Sequence, residues 1–189
     1  MAIQEVINSA EGQCKQHRAD HSFRVMYLAR KIFSAELERA PEEIRQKPDV
    51  FVEVLDWAAV LHDREMTTGE QYDFTHGKKA AERVDDIIGA AVDSDGKELI
   101  KFLCIFHVPD DSEITGLNEI QSWLLRVFKD ADALDRVRFD NSYTLGENYL
   151  RFEIAKTLIP KARELWERTR QGFDLPKAAF DAVFGNRVE

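Results

Sequence analysis

Apolar residues recur along this chain at three- and four-residue steps, the rhythm of a helix with one buried face, and no segment shows the two-residue alternation of a half-buried strand. Ile3, Val6, Ile7 and Ala10 predict a short first helix, followed by a polar connection, EGQCKQHRAD. Val25, Leu28, Ala29 and Ile32 then share a face with His21, predicting a helix from Ser22 that runs out near Pro41 and carries His21 inward at its start. The charged stretch PEEIRQKPDV reads as connection and turn. From Asp49, Val50, Val54, Leu55, Ala58 and Leu61 predict a buried helix that delivers His62 and Asp63 at its C-terminal end.

The loop REMTTGEQYDFT leads to Thr75, the expected N-cap of a helix with His76 in its first turn and Ala80, Val84, Ile87, Ile88 and Ala91 on its core face. After the break DSDG, the helix KELIKFLCIFH sets Leu99, Leu103 and His107 at successive four-residue steps and stops at Pro109. The run NEIQSWLLRVFKDADALDRVRF places Ile120, Leu124, Phe128 and Ala131 on one side, with Leu125, Phe128, Asp132 and Asp135 along a neighbouring line. Residues 146–189 predict further helix, anchored by Tyr149, Phe152, Trp166, Phe173, Phe180 and Phe184 and kinked or divided at Pro160. The fold expected is all-α: a single globular helical bundle over residues 1–189, with a motif-bearing core at about 16–140 and C-terminal helices at about 146–189.

Composition narrows the class. Of 189 residues, 44% are hydrophobic and 32% charged, and no run approaches the roughly 18 to 20 apolar residues that cross a bilayer, so the chain reads as soluble, with no membrane partner. MAIQEVINSAEGQ lacks the basic and apolar regions of a secretory signal, which points to the cytoplasm. Two cysteines, Cys14 and Cys104, are too few for a disulfide framework. A net charge of −9 argues against a DNA- or RNA-tracking surface, whereas a small phosphorylated ligand stays open, because an ion with two or three basic groups can reverse the local field. Homo-oligomerisation is equally open.

The chemistry concentrates in His21, His62, Asp63, His76, His107 and Asp132, a series that takes four of the five histidines. A lone histidine on an apolar face is more often a core residue than a ligand, but this series also buries carboxylates, at several kcal/mol each without a partner. Only Arg136, four residues after Asp132, stands at pairing distance by helical spacing. A divalent transition metal would offset that cost. Imidazole with carboxylate suits Mn, Fe, Co, Ni or Zn, with Mg admissible, and not calcium. The pairs Cys14/His17 and Cys104/His107 have zinc-compatible spacing but lack the second cysteine pair of a structural site.

HSFRV at 21–25, LHD at 61–63 and DADALD at 130–135 resemble the three signature elements of the HD-domain superfamily of metal-dependent phosphohydrolases, an all-α fold. HRADH is similar to a subgroup opening with His-x-x-x-His, in which the second histidine, here His21, is the ligand. The resemblance implies that His21, His62, Asp63 and Asp132 hold one ion. His76 and His107 match the additional histidines of binuclear branches, in which the Asp of the pair bridges two ions. The chain departs from some cyclic-dinucleotide phosphodiesterases at Val108, where they carry a second adjacent histidine. It also departs from HD nucleotidases at Met66, where those carry a catalytic Glu; Glu65 falls one residue short.

The function implied is hydrolysis of a small phosphorylated molecule, a nucleotide or related phosphoester, by metal-activated water. The catalytic group would be His62 and Asp63, with Arg24 and Arg136 gripping phosphate ahead of Lys79 and Lys129. The alternative is a mixed-valent diiron oxygenase of the same superfamily, which iron near two per chain with oxygen consumption would reveal. A non-catalytic metal- or nucleotide-binding module ranks last.

Overall fold

The computed structural model describes residues 19–66, 74–139, 145 and 147–170, and every regular element among them is helical. The expected helix at residues 3–10, the Cys14/His17 pair and the anchors Phe173, Phe180 and Phe184 lie outside the described residues. No helix among the described residues is long and apolar enough to cross a membrane.

Helix α1 (Ala19–Glu36) buries Val25, Leu28, Ala29 and Ile32 completely, as its stripe predicts, and a 3-10 turn, Leu37–Arg39, ends it before Pro41. The stretch expected as plain connection contains a short helix, α2 (Glu42–Gln46), because Ile44 inserts into the core with no exposed surface. Helix α3 (Pro48–Leu61) starts on Pro48, whose missing N–H costs nothing in a first turn. Val54, Leu55, Ala58 and Leu61 are buried, while Val50, assigned to the same apolar series, is 45% exposed.

Helix α4 (His76–Ile88) is shorter than its sequence pattern. Gly89 adopts φ 58°, a left-handed conformation that ends the helix, and leaves Ala91 beyond it and exposed. Thr75 occupies the position before α4 but makes no side-chain capping bond. Helix α5 (Ser94–Phe106) begins earlier than its apolar stripe, because the Asp93 carboxylate accepts from the Gly96 N–H at 2.8 Å and caps it. Helix α6 (Glu119–Leu134) opens with a reciprocal capping box between Asn118 and Gln121 and tightens into a 3-10 turn, Asp135–Arg138. Helices α7 (Glu153–Thr157) and α8 (Ile159–Thr169) divide at Leu158, just before Pro160.

Helix α1 lies against both α3 and α6; α3 and α4 pack on α5, and α8 covers the Asp135–Arg138 turn. The C-terminal helices are fastened by Asp130. Its fully buried carboxylate accepts from the backbone N–H groups of Arg151 (2.9 Å) and Phe152 (2.8 Å) and from the Arg151 guanidinium (3.1 Å). Burial raises its pKa, opposed by those donors.

Candidate metal centre

The site forms where the start of α1, the ends of α3 and α5, the start of α4 and the last turn of α6 converge. His62 and His107 hold equivalent positions, each directly after the last residue of its helix. Carbonyls in a last turn lack helical N–H partners, and each histidine uses one. His62 Nδ1 lies 3.1 Å from the Ala59 carbonyl and His107 Nδ1 lies 2.6 Å from the Cys104 carbonyl. A carbonyl only accepts, so Nδ1 carries a proton in both rings and Nε2 is the atom turned toward the cluster. Cys104 itself is a buried free thiol whose pKa burial raises. It contributes its backbone, not its sulfur, to this contact.

His21 is held differently. Its Nδ1 stands 2.7 Å from an oxygen of Asp135, a carboxylate with no exposed surface. Asp135 also takes the Arg24 guanidinium on both oxygens, with Nη2 at 3.0 Å, and Arg138 Nη1 at 2.9 Å. Burial would raise the Asp135 pKa, but His21 and the two guanidiniums outweigh it and hold it at about 2. Asp135 is therefore an anion, and His21 too presents Nε2 inward.

Those Nε2 atoms meet. His21 Nε2 is 3.1 Å from His62 Nε2, 3.2 Å from Asp63 Oδ2 and 3.5 Å from Asp132 Oδ1. His62 Nε2 is 3.4 Å from the same Asp63 oxygen and 3.7 Å from the same Asp132 oxygen. The other Asp63 oxygen, Oδ1, is 3.1 Å from His76 Nε2 and 3.4 Å from His107 Nε2, and those two nitrogens are 2.9 Å apart. Asp63 thus faces two clusters at once, one with each oxygen. His21, His62 and Asp63 form one group able to hold an ion, and Asp63, His76 and His107 form a second.

A cation fits this arrangement on two grounds. Donors about 2.0–2.2 Å from a shared ion stand roughly 3.0–3.5 Å from one another, close to the spacing found. Two imidazole lone pairs and two carboxylates converging on one enclosed point also repel each other unless a positive charge lies between them. The two carboxylates draw positive charge to this point: burial alone would lower the His62 pKa, yet Asp63 and Asp132 outweigh it and raise it to about 10, so a metal bound at Nε2 would take the place of a proton. In the second cluster, burial wins at His107 and lowers its pKa despite Asp63. Asp132, with 24% of its side chain exposed, is held below the usual carboxylate range by His62 and His21 against the cost of burial. Phe128 closes the apolar side, edge-on to His62 with ring centroids 5.3 Å apart.

The close meeting of His76 and His107 depends on Gly77. A Cβ there would lie 2.2 Å from the Cys104 carbonyl oxygen, so only glycine lets the start of α4 come this near the end of α5.

All six residues expected as metal ligands come together, but the two arginines expected to grip phosphate do not join them. Arg24 is buried behind His21, and beyond Asp135 its Nη1 bonds Asp20 and Thr169 Oγ1, each at 2.7 Å. Arg136 is exposed and lies over the Tyr149 ring, 5.2 Å from its centroid. From Asp135 the chain tightens to 3-10 geometry, which takes Arg136 out of its four-residue α register with Asp132, and Arg138 bonds Asp135. Lys129 is also committed elsewhere: its ammonium bonds the Pro109 carbonyl and, at 2.8 Å, Asp111, pinning the segment after His107. Lys79 is exposed, and Glu65, one place short of the nucleotidase position, is half-buried. Asp135, Arg138 and Gly77 are the contributors that sequence reasoning missed. Asp135 did carry a signal, as an acid three residues after Asp132 on the same buried line.

Comparison with protein-family models, with curated proteins and with solved structures gives no match. The molecule is established as an all-helical fold with a buried His/Asp cluster able to hold a metal, compatible with an HD-like domain.

Proposed function

We propose that this protein is a metal-dependent phosphohydrolase of the HD type, acting on a small phosphorylated molecule such as a nucleotide or related phosphoester. The observation that carries the reading is the two-faced Asp63, with Oδ2 toward His21 and His62 and Oδ1 toward His76 and His107. A bound divalent ion would supply Lewis-acid polarisation of the phosphoryl group and a more acidic water. His21, His62, Asp63 and Asp132 would hold the first ion, and Asp63, His76 and His107 the second.

The protein's own part is positional. Asp135, Ala59 and Cys104 fix the Nδ1 protons, and thereby the direction in which His21, His62 and His107 offer Nε2. Phe128 keeps water from the apolar side of the histidine rings. With Arg24 held by Asp135 and Arg136 over Tyr149, the ions would provide most of the positive charge that a phosphate meets. The test is metal analysis of the purified protein, followed by a phosphatase and phosphodiesterase screen with added Mn, Co, Ni and Mg. Metal-dependent release of phosphate or cleavage of a phosphodiester is expected. Two irons per chain with oxygen consumption and no phosphoester turnover would replace this reading with dioxygen chemistry.

A further inference from the structure

We infer that Asp135 is a positioning residue that makes the two metal positions unequal, with the His21 side binding its ion more tightly than the His76 side; this rests on the two-ion reading above. The observations are geometric. Asp135 is fully buried, receives His21 Nδ1 at 2.7 Å, and is clamped by Arg24 across both oxygens and by Arg138 at 2.9 Å. A carboxylate behind an imidazole fixes the ring's orientation and raises its basicity as a ligand more than a neutral carbonyl does. His62 and His107 have only the carbonyls of Ala59 and Cys104 behind them.

Donor number among the described residues adds to the inequality. There the His21 side gathers two imidazoles and oxygens from two carboxylates, Asp63 and Asp132, and the His76 side two imidazoles and one oxygen of the shared Asp63. Among the described residues the two ion positions therefore differ in charge and in donor count, and the His21 side has a buried carboxylate, Asp135, aiming its first histidine. The Arg24 clamp extends this support into the fold, because Thr169 Oγ1 at the end of α8 accepts from Arg24 and donates to the Leu165 carbonyl at 2.9 Å.

The experiment is calorimetric titration of the metal-free 189-residue chain with Mn²⁺, comparing the native sequence with Asp135→Asn. The native chain should give two binding events of different affinity. Asp135→Asn should weaken the tighter one by roughly 10- to 100-fold and leave the weaker one in place, the loss usual for removing such a support. Unchanged affinity of the tighter event would overturn the inference, as would equal weakening of both events, which marks a merely structural role. No Mn²⁺ binding by the native chain would instead defeat the two-ion reading itself. Should Asp135→Asn not fold, nitrogen-detected NMR of the native chain loaded with Zn²⁺ decides. The His21 Nδ1 proton should then lie downfield of those of His62 and His107, and a His21 signal level with theirs would overturn the inference.

Discussion

His21 and His107 are both histidines at helix ends whose Nδ1 is fixed by a neighbour, yet they belong to halves of the cluster built by different means. Around His21 the structure accumulates buried charge: Asp135 behind the ring, Arg24 and Arg138 behind Asp135, and Asp63 and Asp132 in front. Around His107 it relies on close backbone approach, with Gly77 of α4 set against the Cys104 carbonyl that also receives His107 Nδ1. Charge survives small shifts in distance because Coulomb attraction declines gradually, whereas steric approach fails abruptly. The first half should thus tolerate modest repacking that the second does not.

The most severe way to break the contrast is to remove what the halves share. Asp63→Ala should abolish metal uptake at both positions and all phosphoester turnover while leaving the helical circular dichroism largely unchanged; retained metal or activity would remove the cluster from consideration. Gly77→Ala acts on one half only. Its methyl group would lie 2.2 Å from the Cys104 oxygen, so α4 must move away. Metal content should fall from two ions to one, and urea denaturation should show a loss of about 1–3 kcal/mol, as for other overpacked positions. His76→Ala combined with His107→Ala should give the same fall in stoichiometry without that strain, and an unchanged count would show that a single ion is bound.

The smallest effect is expected at the segment that follows His107. Asp111, whose side chain is 56% exposed, pairs with Arg151 and Lys129 at 2.8 Å, and those partners lower its pKa to about 2 against the cost of burial. A depressed carboxylate pKa stabilises the fold above its unfolded value near 3.8 and stops doing so as pH falls toward 2. Solvent screening limits the contribution to less than about 1 kcal/mol. Asp111→Asn should therefore cost that little above pH 4 and nothing near pH 2 in parallel denaturation curves, with metal stoichiometry unchanged. A lost ion would mean that surface pairing, and not the helix crossing at Gly77, holds the second half.

The helices and the His/Asp series were legible because the apolar stripes repeat at helical spacing and the series falls in line with them: Val25 to Ile32 announces α1, and the pair His62-Asp63 falls where the buried stripe of α3 ends. The supports were not legible in the same way. Arg136 stands four residues from Asp132, and helical spacing makes it the nearby cation, but α6 tightens at Asp135, so that Arg136 lies over Tyr149 and Arg138 pairs with Asp135. Arg24 shares a helical turn with His21, which shows that the two are neighbours but not that Asp135, more than a hundred positions away in the chain, separates the guanidinium from the ligand cluster. Gly77 is one residue of an ordinary HGKKAAERV run, and only the crossing with α5 reveals its purpose. Local periodicity reports which face a residue occupies, while partners contributed by other helices depend on packing.

Asp130 sets a lower bound on the piece of this chain that can be cut out and studied alone. Its enclosed carboxylate sits two residues before Asp132 and is satisfied entirely from Arg151 and Phe152, on the far side of a chain crossing. A fragment stopping at residue 140, after the last of the recognisable motifs, would contain every proposed ligand and still strand that anion in the core, along with the end of Arg24 that α8 holds through Thr169. The practical unit for expression, crystallisation or transplantation therefore extends through α8.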